Sequence, residues 1–386
     1  MLRMDIMKNH SKPKIAVFVS FSGHGGVERM MINLCEGFLA LGWPVDLLTV
    51  KAKSPYLQRL PDGLNVVDLG AVHTLESLSA VARYLRSKRP LALLAAKDRA
   101  NQVAVLAGRL ARTSTRIVLR MGTTVSAALN GKSSLQKAFW YVPLRVLYPM
   151  ADAVVAVSKG VATDVMHITG LPPLKIHVIP NPVVSPKMFL LAREPVDQPW
   201  FLDHSTPVIM GMGRLTRQKD FPTLIRAFAA VRSQRPCRLV VLGEGRDRPK
   251  LKRLIEVLGI QDDVDFPGFV ANPYRFLSRT ALFVLSSIWE GSPNALAEAM
   301  ALGVPVVSTD CPSGPREILQ GGRYGALVPM GDADALAQAM AETLAHPLDK
   351  AFLQQGVSDY SVEISSKRYL DILTGGGTSG PSSGKA

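Results

Sequence analysis

The stretch LFVLSSIWEGSPNALAEAM, residues Leu282–Met300, contains an apolar run, a short polar loop and a helical pattern in immediate succession. The run Leu282–Leu285 predicts a buried strand, while Ser292 and Pro293 favour the N-cap and the first position of a helix. The N–H groups of the opening turn, around residues 294–296, would point outward at the positive end of the helix dipole. The stretch therefore predicts a strand–loop–helix unit that can bind an anion.

Two carboxylates flank this predicted helix start. Glu290 lies in the loop, and Glu298 lies between one and two turns inside the helix. Carboxylates repel phosphate but accept hydrogen bonds from hydroxyl groups, so we expect these two to bind the hydroxyls of a sugar and a ribose. An ordinary capped helix with a surface glutamate would show the same pattern, and these residues alone leave that alternative open.

A basic loop follows another predicted strand of the same half. Arg214, Arg217 and Lys219 come directly after the run Val208–Gly213. Arginine can bind phosphate through two hydrogen bonds, and lysine provides a compact positive charge. The loop is therefore a candidate phosphate site, although a solvated basic turn would have the same composition.

The alternation of strands and helices extends along most of the chain, which indicates an α/β fold of two doubly wound parallel-sheet domains. Ligands of such sheets bind beyond the carboxyl ends of the strands, so a central cleft between the two domains is the expected site. The predicted strands are Ile15–Ser20, Val45–Val50, Leu91–Ala95, Arg116–Arg120, Ala153–Val157 and Lys175–Ile179, then Val208–Gly213, Arg238–Leu242, Val264–Phe266, Leu282–Leu285, Val304–Ser308 and Gly325–Val328.

The predicted domains have the following bounds. Residues 1–185 form an N-terminal domain and residues 186–360 a C-terminal domain, with a linker rich in proline and polar residues at 194–207. Residues 361–373 form a C-terminal helix that crosses back to the first domain. The Gly/Ser-rich residues 374–386 are expected to be disordered.

The excess of positive over negative charge is confined to the first half of the chain. Residues 1–190 contain 24 Lys and Arg against 10 Asp and Glu, whereas residues 191–386 contain 21 of each kind. A solvated basic surface would explain this asymmetry, but it also predicts an anionic partner such as nucleic acid, anionic lipid or a phosphorylated acceptor. Because no helix-turn-helix or zinc-finger spacing occurs, we expect no nucleic-acid partner.

Three further features bound the class of protein. The three cysteines, Cys35, Cys237 and Cys311, have neither metal-ligand spacing nor a disulfide pattern, which favours a reducing compartment. The first apolar run is too short for a signal peptide, and no run has the ~20 residues of a membrane-spanning helix. We therefore expect a cytoplasmic protein.

A glycine-rich loop, Phe21–Glu28, follows the first predicted strand and could let backbone approach a phosphate. It lacks the dinucleotide-binding fingerprint, because Glu28 stands where the third glycine would be. A plain turn explains the loop equally well, and His24 alone fits a surface position better than a catalytic base.

These motifs together resemble the group-1 family of retaining glycosyltransferases with the GT-B fold, which includes bacterial enzymes of lipopolysaccharide, capsule and lipid-linked oligosaccharide synthesis. Glu290 and Glu298, with seven residues between them, fit the family's paired-glutamate motif. Gly213–Lys219 fits its basic phosphate loop. Further landmarks that look similar are Val157–Gly160, Val178–Pro182, Leu242–Gly245 and Phe266–Val270.

The resemblance implies roles for individual residues. Arg214 and Lys219 would hold the donor diphosphate and Glu290 the transferred sugar, and these three are the expected catalytic residues. Glu298 would hold the ribose, and the backbone of Val270 would meet the base. The implied donor-binding residues are Gly25, Gly26, Arg214, Lys219, Val270, Glu290, Gly291, Ser292, Pro293, Asn294, Ala295 and Glu298.

The resemblance also implies the reaction and its partners. We expect a hexosyltransferase that retains the anomeric configuration and uses a UDP-sugar, with no metal and no cofactor. The acceptor would be a lipid-linked or cell-surface glycan, at the anionic inner face of the membrane. One departure concerns Arg120–Val125, where many relatives carry a histidine and this chain has none.

Two alternatives to this function remain open from the residues. A nucleotide-sugar epimerase can share the fold, and it would convert donor with no acceptor present. A basic nucleic-acid-binding protein would bind duplex DNA with a steep dependence on salt.

The segment Lys132–Met150 mixes aromatic, apolar and basic residues around Pro143. We interpret its aromatic side as a core face, and its charges as facing a membrane or an acceptor.

Overall fold

The computed structural model describes residues 12–21, 25–50, 57, 60–203 and 205–376. Within them, one sheet of seven strands has the order β3-β2-β1-β4-β5-β6-β7. The paired neighbours run parallel, for example Ile15 with Val45 and with Ala92. The strands are β1 (Ile15–Ser20), β2 (Val45–Val50), β3 (Asn65–Asp68), β4 (Ala92–Ala96), β5 (Arg116–Met121), β6 (Ala153–Ala156) and β7 (Ile176–Val178).

The helices that alternate with these strands bury the faces that their sequence pattern predicts. In the first helix, Met31, Leu34 and Phe38 recur at intervals of three and four and are fully buried. The helices of this half are α1 (Gly26–Ala40), α2 (Leu78–Lys88), α3 (Asp98–Ala111), α4 (Val125–Ala128), α5 (Ser134–Leu147) and α6 (Lys159–Thr169).

A second sheet has six strands in the order β10-β9-β8-β11-β12-β13. Its strands are β8 (Val208–Met212), β9 (Arg238–Leu242), β10 (Val264–Gly268), β11 (Leu282–Leu285), β12 (Val306–Thr309) and β13 (Ala326–Val328). Its helices are α7 (Pro186–Ala192), α8 (Phe221–Arg232), α9 (Arg248–Leu258), α10 (Tyr274–Leu277), α11 (Asn294–Ala301), α12 (Pro315–Ile318), α13 (Ala333–Ala345), α14 (Lys350–Gln355) and α15 (Val362–Thr374). The two parallel sheets with their helices confirm the predicted α/β class.

The strand order of each sheet reverses direction beside its first strand. In the first sheet β1 lies between β2 and β4, and in the second β8 lies between β9 and β11. Loops that leave neighbouring strands at such a reversal diverge, which opens a crevice at the carboxyl edge of the sheet. The basic loop after β8 and the glutamate loop after β11 both belong to this edge of the second sheet.

The chain divides into two compact units. The first comprises Met1–Leu119, Met150–Ala153 and Tyr369–Ala386, and the second comprises Arg120–Pro149 and Val154–Arg368. The C-terminal helix α15 therefore ends in the first unit, where Arg116 Nε donates a hydrogen bond to the carbonyl of Ile372. The domain bounds drawn from the sequence stay a prediction, and residues 377–386 of the expected tail lie outside the described residues.

Most strand bounds agree with the sequence within one or two residues, but β3 is an addition. Strand β3 lies at the edge of the first sheet, pairs only with β2 and has largely exposed residues. An edge strand that buries little needs no apolar run, so the pattern of Asn65–Asp68 gave no signal.

The segment Lys132–Met150 contains helix α5, with Pro143 inside it. The interpretation of its aromatic side as a core face holds for Leu144 and Tyr148, which are buried, and is wrong for Trp140 and Val146, which are exposed. None of the helices among the described residues is long and apolar enough to cross a membrane.

Candidate functional site

The basic loop after β8 is fixed by its neighbour after β9. The N–H of Gly213 donates to the carbonyl of Leu242, and the N–H of Leu215 donates to that of Glu244. A Cβ atom on Gly243 or on Gly245 would collide with the backbone of this loop. The glycines of the Leu242–Gly245 landmark therefore let two backbones approach closely, which holds the basic loop in place.

Lys219 lies at the end of this loop and is directed back across it. Its side chain packs on Gly213, which has φ of 155° and where a Cβ atom would lie 2.8 Å from Lys219 Cε. Its carbonyl accepts a hydrogen bond of 2.7 Å from Ser286 Oγ, just after β11. Its Nζ atom lies 2.6 Å from Glu290 Oε1. The loop thus brings a lysine and a glutamate from two adjacent strands into an ion pair.

Glu290 is buried, and its two carboxylate oxygens differ. Oε1 accepts hydrogen bonds from Lys219 Nζ and, at 2.7 Å, from Ser287 Oγ. Oε2 has no donor among the described residues, so it can accept one from a bound hydroxyl. Burial, followed by the nearby charge of Glu290, raises the pKa of the Cys311 thiol to about 12. The cysteine therefore stays neutral beside the ion pair.

The helix after Glu290 begins one residue later than the sequence predicts. Pro293, at φ −72° and ψ 101°, is the N-cap, Asn294 is the first helical residue, and Ser292 does not cap the helix. A Cβ atom on Gly314 would lie 2.6 Å from Pro293 Cδ, so this neighbour fits closely against the extended proline. The N–H of Leu296 donates to the carbonyl of Pro293, whereas those of Asn294 and Ala295 have no acceptor among the described residues. Two N–H groups thus stay available to an anion.

The segment after β5 lies directly on the Glu290 loop. Thr124 Oγ1 donates a hydrogen bond of 2.8 Å to the carbonyl of Glu290. A Cβ atom on Gly291 would collide with the carbonyl of Gly122 and would lie 2.9 Å from Thr123 Cα. Gly291 is therefore required for this contact. The contact involves Gly122–Thr124, in the region where the resemblance implies a histidine that this chain lacks.

Asn181 connects a buried arginine to the start of α11. Arg120 Nη2 donates to Asn181 Oδ1 at 2.6 Å, and Asn181 Nδ2 donates to Asn294 Oδ1 at 2.7 Å. All three belong to the second compact unit. The landmark Val178–Pro182 contains Asn181, but no sequence pattern indicated that Asn181 or Arg120 would connect to the start of α11.

The landmark Val157–Gly160 also supports the loop that holds Glu290. Ser158 Oγ and Ser313 Oγ are 2.6 Å apart, and Ser313 Oγ donates to the carbonyl of Gly291 at 2.9 Å. A Cβ atom on Gly160 would lie 2.7 Å from Ser313 Cβ, so the close approach needs a glycine. The N–H groups of Lys159 and Gly160 donate to the carboxylate of Glu317.

The other predicted donor residues of the second unit occupy different environments. Arg214 is exposed, and its Nη2 atom lies 3.4 Å from Oε1 of Gln218, whose Nε2 atom donates to the carbonyl of Trp289. Glu298 is fully buried and accepts a hydrogen bond of 3.3 Å from the hydroxyl of Tyr274. Val270 is half-buried after β10. The roles of Arg214 with phosphate, Glu298 with ribose and Val270 with the base stay predictions.

The glycine-rich loop belongs to the first unit. Gly25 is the N-cap of α1 and Gly26 its first residue, whereas Gly23 and His24 lie outside the described residues. Among the described residues, the nearest atom to a Cβ on Gly25 would be Glu28 Oε1 at 3.8 Å. The approach of Gly25 and Gly26 to a diphosphate stays a prediction.

Two family models match the chain. The family described as "Glycosyl transferases group 1" matches residues 206–346, and that described as "Glycosyl transferase 4-like domain" matches residues 25–182. The chain is 28% identical over 352 residues to the N-acetylgalactosamine-N,N'-diacetylbacillosaminyl-diphospho-undecaprenol 4-alpha-N-acetylgalactosaminyltransferase of Campylobacter jejuni. This alignment covers 86% of this chain and 90% of the relative.

Another relative and a solved structure extend the comparison. The chain is 32% identical over 237 residues to the lipopolysaccharide core biosynthesis glycosyltransferase LpsE of Rhizobium meliloti. This alignment covers 60% of this chain and 67% of the relative. The structure of Anabaena HepE with UDP and glucose superposes with a TM-score of 0.74 at 19% identity, over 94% of this chain and 100% of that one. This likeness confirms the GT-B fold.

Proposed function

The chain belongs to the group 1 glycosyltransferase family, and on that premise we propose that it transfers a hexose from a UDP-sugar to a lipid-linked or cell-surface glycan. The product would enter lipopolysaccharide or another polysaccharide. Names of relatives support this, because the Rhizobium protein belongs to lipopolysaccharide core synthesis and the Campylobacter protein to a diphospho-undecaprenol glycan. The complex of HepE with UDP supports the choice of base.

The observation that carries the proposal is the ion pair of Lys219 and Glu290 beside the start of α11. The 2.6 Å pair places a cation and a carboxylate at one point of the carboxyl edge. The free N–H groups of Asn294 and Ala295 lie a few residues along the chain from that carboxylate. A nucleotide sugar needs both kinds of group, because its diphosphate is anionic and its sugar presents hydroxyls.

In the proposed mechanism these groups stabilise the leaving diphosphate. The bond between the anomeric carbon and the diphosphate oxygen breaks, and negative charge develops on that oxygen. Lys219, Arg214 and the first N–H groups of α11 would offset this charge, so the proposal requires no metal ion and no cofactor. Glu290 Oε2 would accept a hydrogen bond from the transferred sugar and fix its position.

The acceptor hydroxyl would attack the same face of the sugar that the diphosphate leaves, which retains the anomeric configuration. Its oxygen forms the new bond to the anomeric carbon, and its proton passes to an oxygen of the departing diphosphate. Since the acceptor is lipid-linked in this proposal, the enzyme would act from the cytoplasm at the inner face of the membrane.

The test is transfer to a polyprenyl-diphosphate glycan by the purified chain, with UDP-, GDP- and ADP-sugars compared. We expect a UDP-sugar to support transfer, and Glu290→Gln and Lys219→Met to lower kcat by about 10²–10³-fold, the usual loss for removing one electrostatic contact to the transition state. The same exchanges in the exposed pair Glu363 and Lys367 are matched controls and should leave kcat unchanged.

Two outcomes would contradict the proposal. Full activity of both Glu290→Gln and Lys219→Met would remove the site assignment. Conversion of the donor into an epimeric nucleotide sugar without acceptor would show an epimerase instead of a transferase.

A further inference from the structure

The outer face of α5 is apolar and exposed to solvent. Its four residues Leu135, Phe139, Val142 and Val146 follow the i, i+4, i+7, i+11 spacing of one helix face. They are 84%, 76%, 53% and 58% exposed. Soluble monomers rarely expose a contiguous stripe of this kind unless it contacts a partner or a membrane.

The helix is fixed by means other than burial of this stripe. Ser133 and Gln136 form a capping box at its start. Leu144 on the inner side is its buried residue, and Arg145 Nε donates a hydrogen bond of 2.8 Å to the carbonyl of Ile168 at the end of α6. The stripe therefore stays on the outside of an anchored helix.

The charges around the stripe match an anionic partner. Residues 122–151, which contain α4 and α5, include Lys132, Lys137 and Arg145 and no Asp or Glu. Lys132 and Lys137 flank the start of α5 and are at least partly exposed. At the other end, Lys175 Nζ donates to the carbonyl of Pro149, next to the highly exposed Leu174. A second copy of the chain would place like charges face to face, so the charges disfavour self-association through this face.

We propose that α5 docks the enzyme on an anionic bilayer, with the stripe of Leu135, Phe139, Val142 and Val146 inserted among the acyl chains and the lysines at the headgroups. Interfacial helices combine an apolar face with basic residues in this way and lie in the plane of the headgroup boundary. The docking rests on the proposed function only in its purpose, which is to bring the donor site to a lipid-linked acceptor. The surface itself is defined by α5.

The test is cosedimentation of the full chain with vesicles of 30% phosphatidylglycerol in phosphatidylcholine. We expect the wild type to bind these vesicles and Leu135→Glu/Phe139→Glu to bind about 100-fold more weakly, since each inserted side chain contributes about tenfold or more. The matched control Leu202→Glu/Val257→Glu changes two comparably exposed residues to the same charge and should bind within about threefold of the wild type.

The lysines are tested separately. Lys132→Gln and Lys137→Gln should each weaken binding about fivefold at low salt, and the effect should vanish at 1 M salt, where the screening length falls to about 3 Å. Equal binding of the wild type to pure phosphatidylcholine would overturn the charge argument.

Several results would overturn the docking. These are absence of vesicle binding by the wild type, an equal loss in the control variant, or sedimentation as a dimer that only Leu135→Glu/Phe139→Glu dissociates. Transfer to a glycan on a short, water-soluble prenyl diphosphate separates the two proposals. The docking variant should keep that activity, and a wild type that binds vesicles but transfers no sugar would contradict the proposed function alone.

Discussion

Each sheet has a lysine–glutamate pair at its strand-order reversal, and the two pairs have opposite polarity. In the first sheet Glu28 follows β1 and Lys97 follows the adjacent β4, with 2.7 Å between Nζ and Oε1. In the second sheet Lys219 follows β8 and Glu290 follows the adjacent β11, at 2.6 Å. In the first sheet the lysine follows β4, the strand beside the first strand. In the second sheet the lysine follows β8, which is itself the first strand.

The surroundings of the pairs differ as well. Glu28 is buried, and Lys97 Nζ also donates to the carbonyl of Ser20 at 2.6 Å, so this pair ties three segments of the first sheet together. In the second pair, one carboxylate oxygen of Glu290 has no donor among the described residues. The first pair links segments of the fold, whereas the second keeps a carboxylate oxygen that, on the proposed function, would accept a hydrogen bond from the sugar.

The largest expected effect comes from reversing the second pair. Lys219→Glu/Glu290→Lys keeps opposite charges in contact, and we expect it to fold. Transfer should still fall about a thousandfold, equivalent to about 4 kcal/mol, because the phosphate side would now carry the carboxylate. Steady-state kinetics measures the loss of transfer, and thermal unfolding tests whether the variant folds. Wild-type activity of the reversed pair would contradict a role for Lys219 and Glu290 in transfer.

Breaking the first pair should act mainly on stability. Lys97→Met removes the cation 2.7 Å from the buried Glu28 and should lower the free energy of unfolding by about 3 kcal/mol. The double variant Glu28→Gln/Lys97→Met also removes the buried carboxylate charge and should regain part of this loss. Urea denaturation of the three proteins tests the prediction, which fails if the single variant is as stable as the wild type.

The glycines sharpen the comparison further. Gly291→Ala must displace the backbone of Gly122 and Thr123, so we expect a loss of about 1–3 kcal/mol in unfolding free energy together with a loss of activity. Gly25→Ala, at φ −80°, meets an ordinary contact with Glu28 among the described residues, so we expect a smaller loss of about 0.5–1 kcal/mol, from replacing the glycine N-cap of α1. If Gly25 approaches the diphosphate as the sequence predicts, the alanine variant should raise KM for the donor; an unchanged KM would refute that role.

The smallest expected effect concerns Asp46 in the first sheet. Burial alone would raise the pKa of this carboxyl, but hydrogen bonds from Tyr84, Asn65 and Lys14, with the charge of Lys14, lower it overall. A lowered pKa in the folded state contributes stability above the unfolded value, and this is lost as pH falls through the folded pKa. Asp46→Asn should therefore cost about 1 kcal/mol at pH 7 and less below pH 4. A cost that does not change with pH would contradict this account.

Local patterns were sufficient for much of the fold. Strands β1, β2, β9 and β11 have the bounds that the sequence predicts, because strands buried on both faces are rich in apolar residues. Strand β3 has no such requirement at the sheet edge. The start of α11 was misplaced by one residue, since neighbours distant in sequence hold Pro293 extended.

The residues of the site also differ in whether local sequence patterns could reveal them. Glu290 and Lys219 belong to short motifs whose chemistry can be read locally, and the structure brings them into an ion pair. Ser287 carried a weak signal, as a polar residue just after a buried strand. Thr124 and Asn181 could not be found, because they contact the glutamate loop and the start of α11 across 166 and 113 residues of sequence.

These long separations have a consequence for the order of assembly. The loop that holds Glu290 is completed by Thr124, by Asn181 and, through Ser313, by Ser158, and these three residues come from the first half of the chain. Contacts of such high sequence separation form late, after local helices and turns. A nascent or truncated chain that contains only one half therefore lacks contacts that hold the Glu290 loop. Refolding protein should regain helical content before it regains turnover. On the proposed function, sugar transfer therefore requires the fully assembled chain.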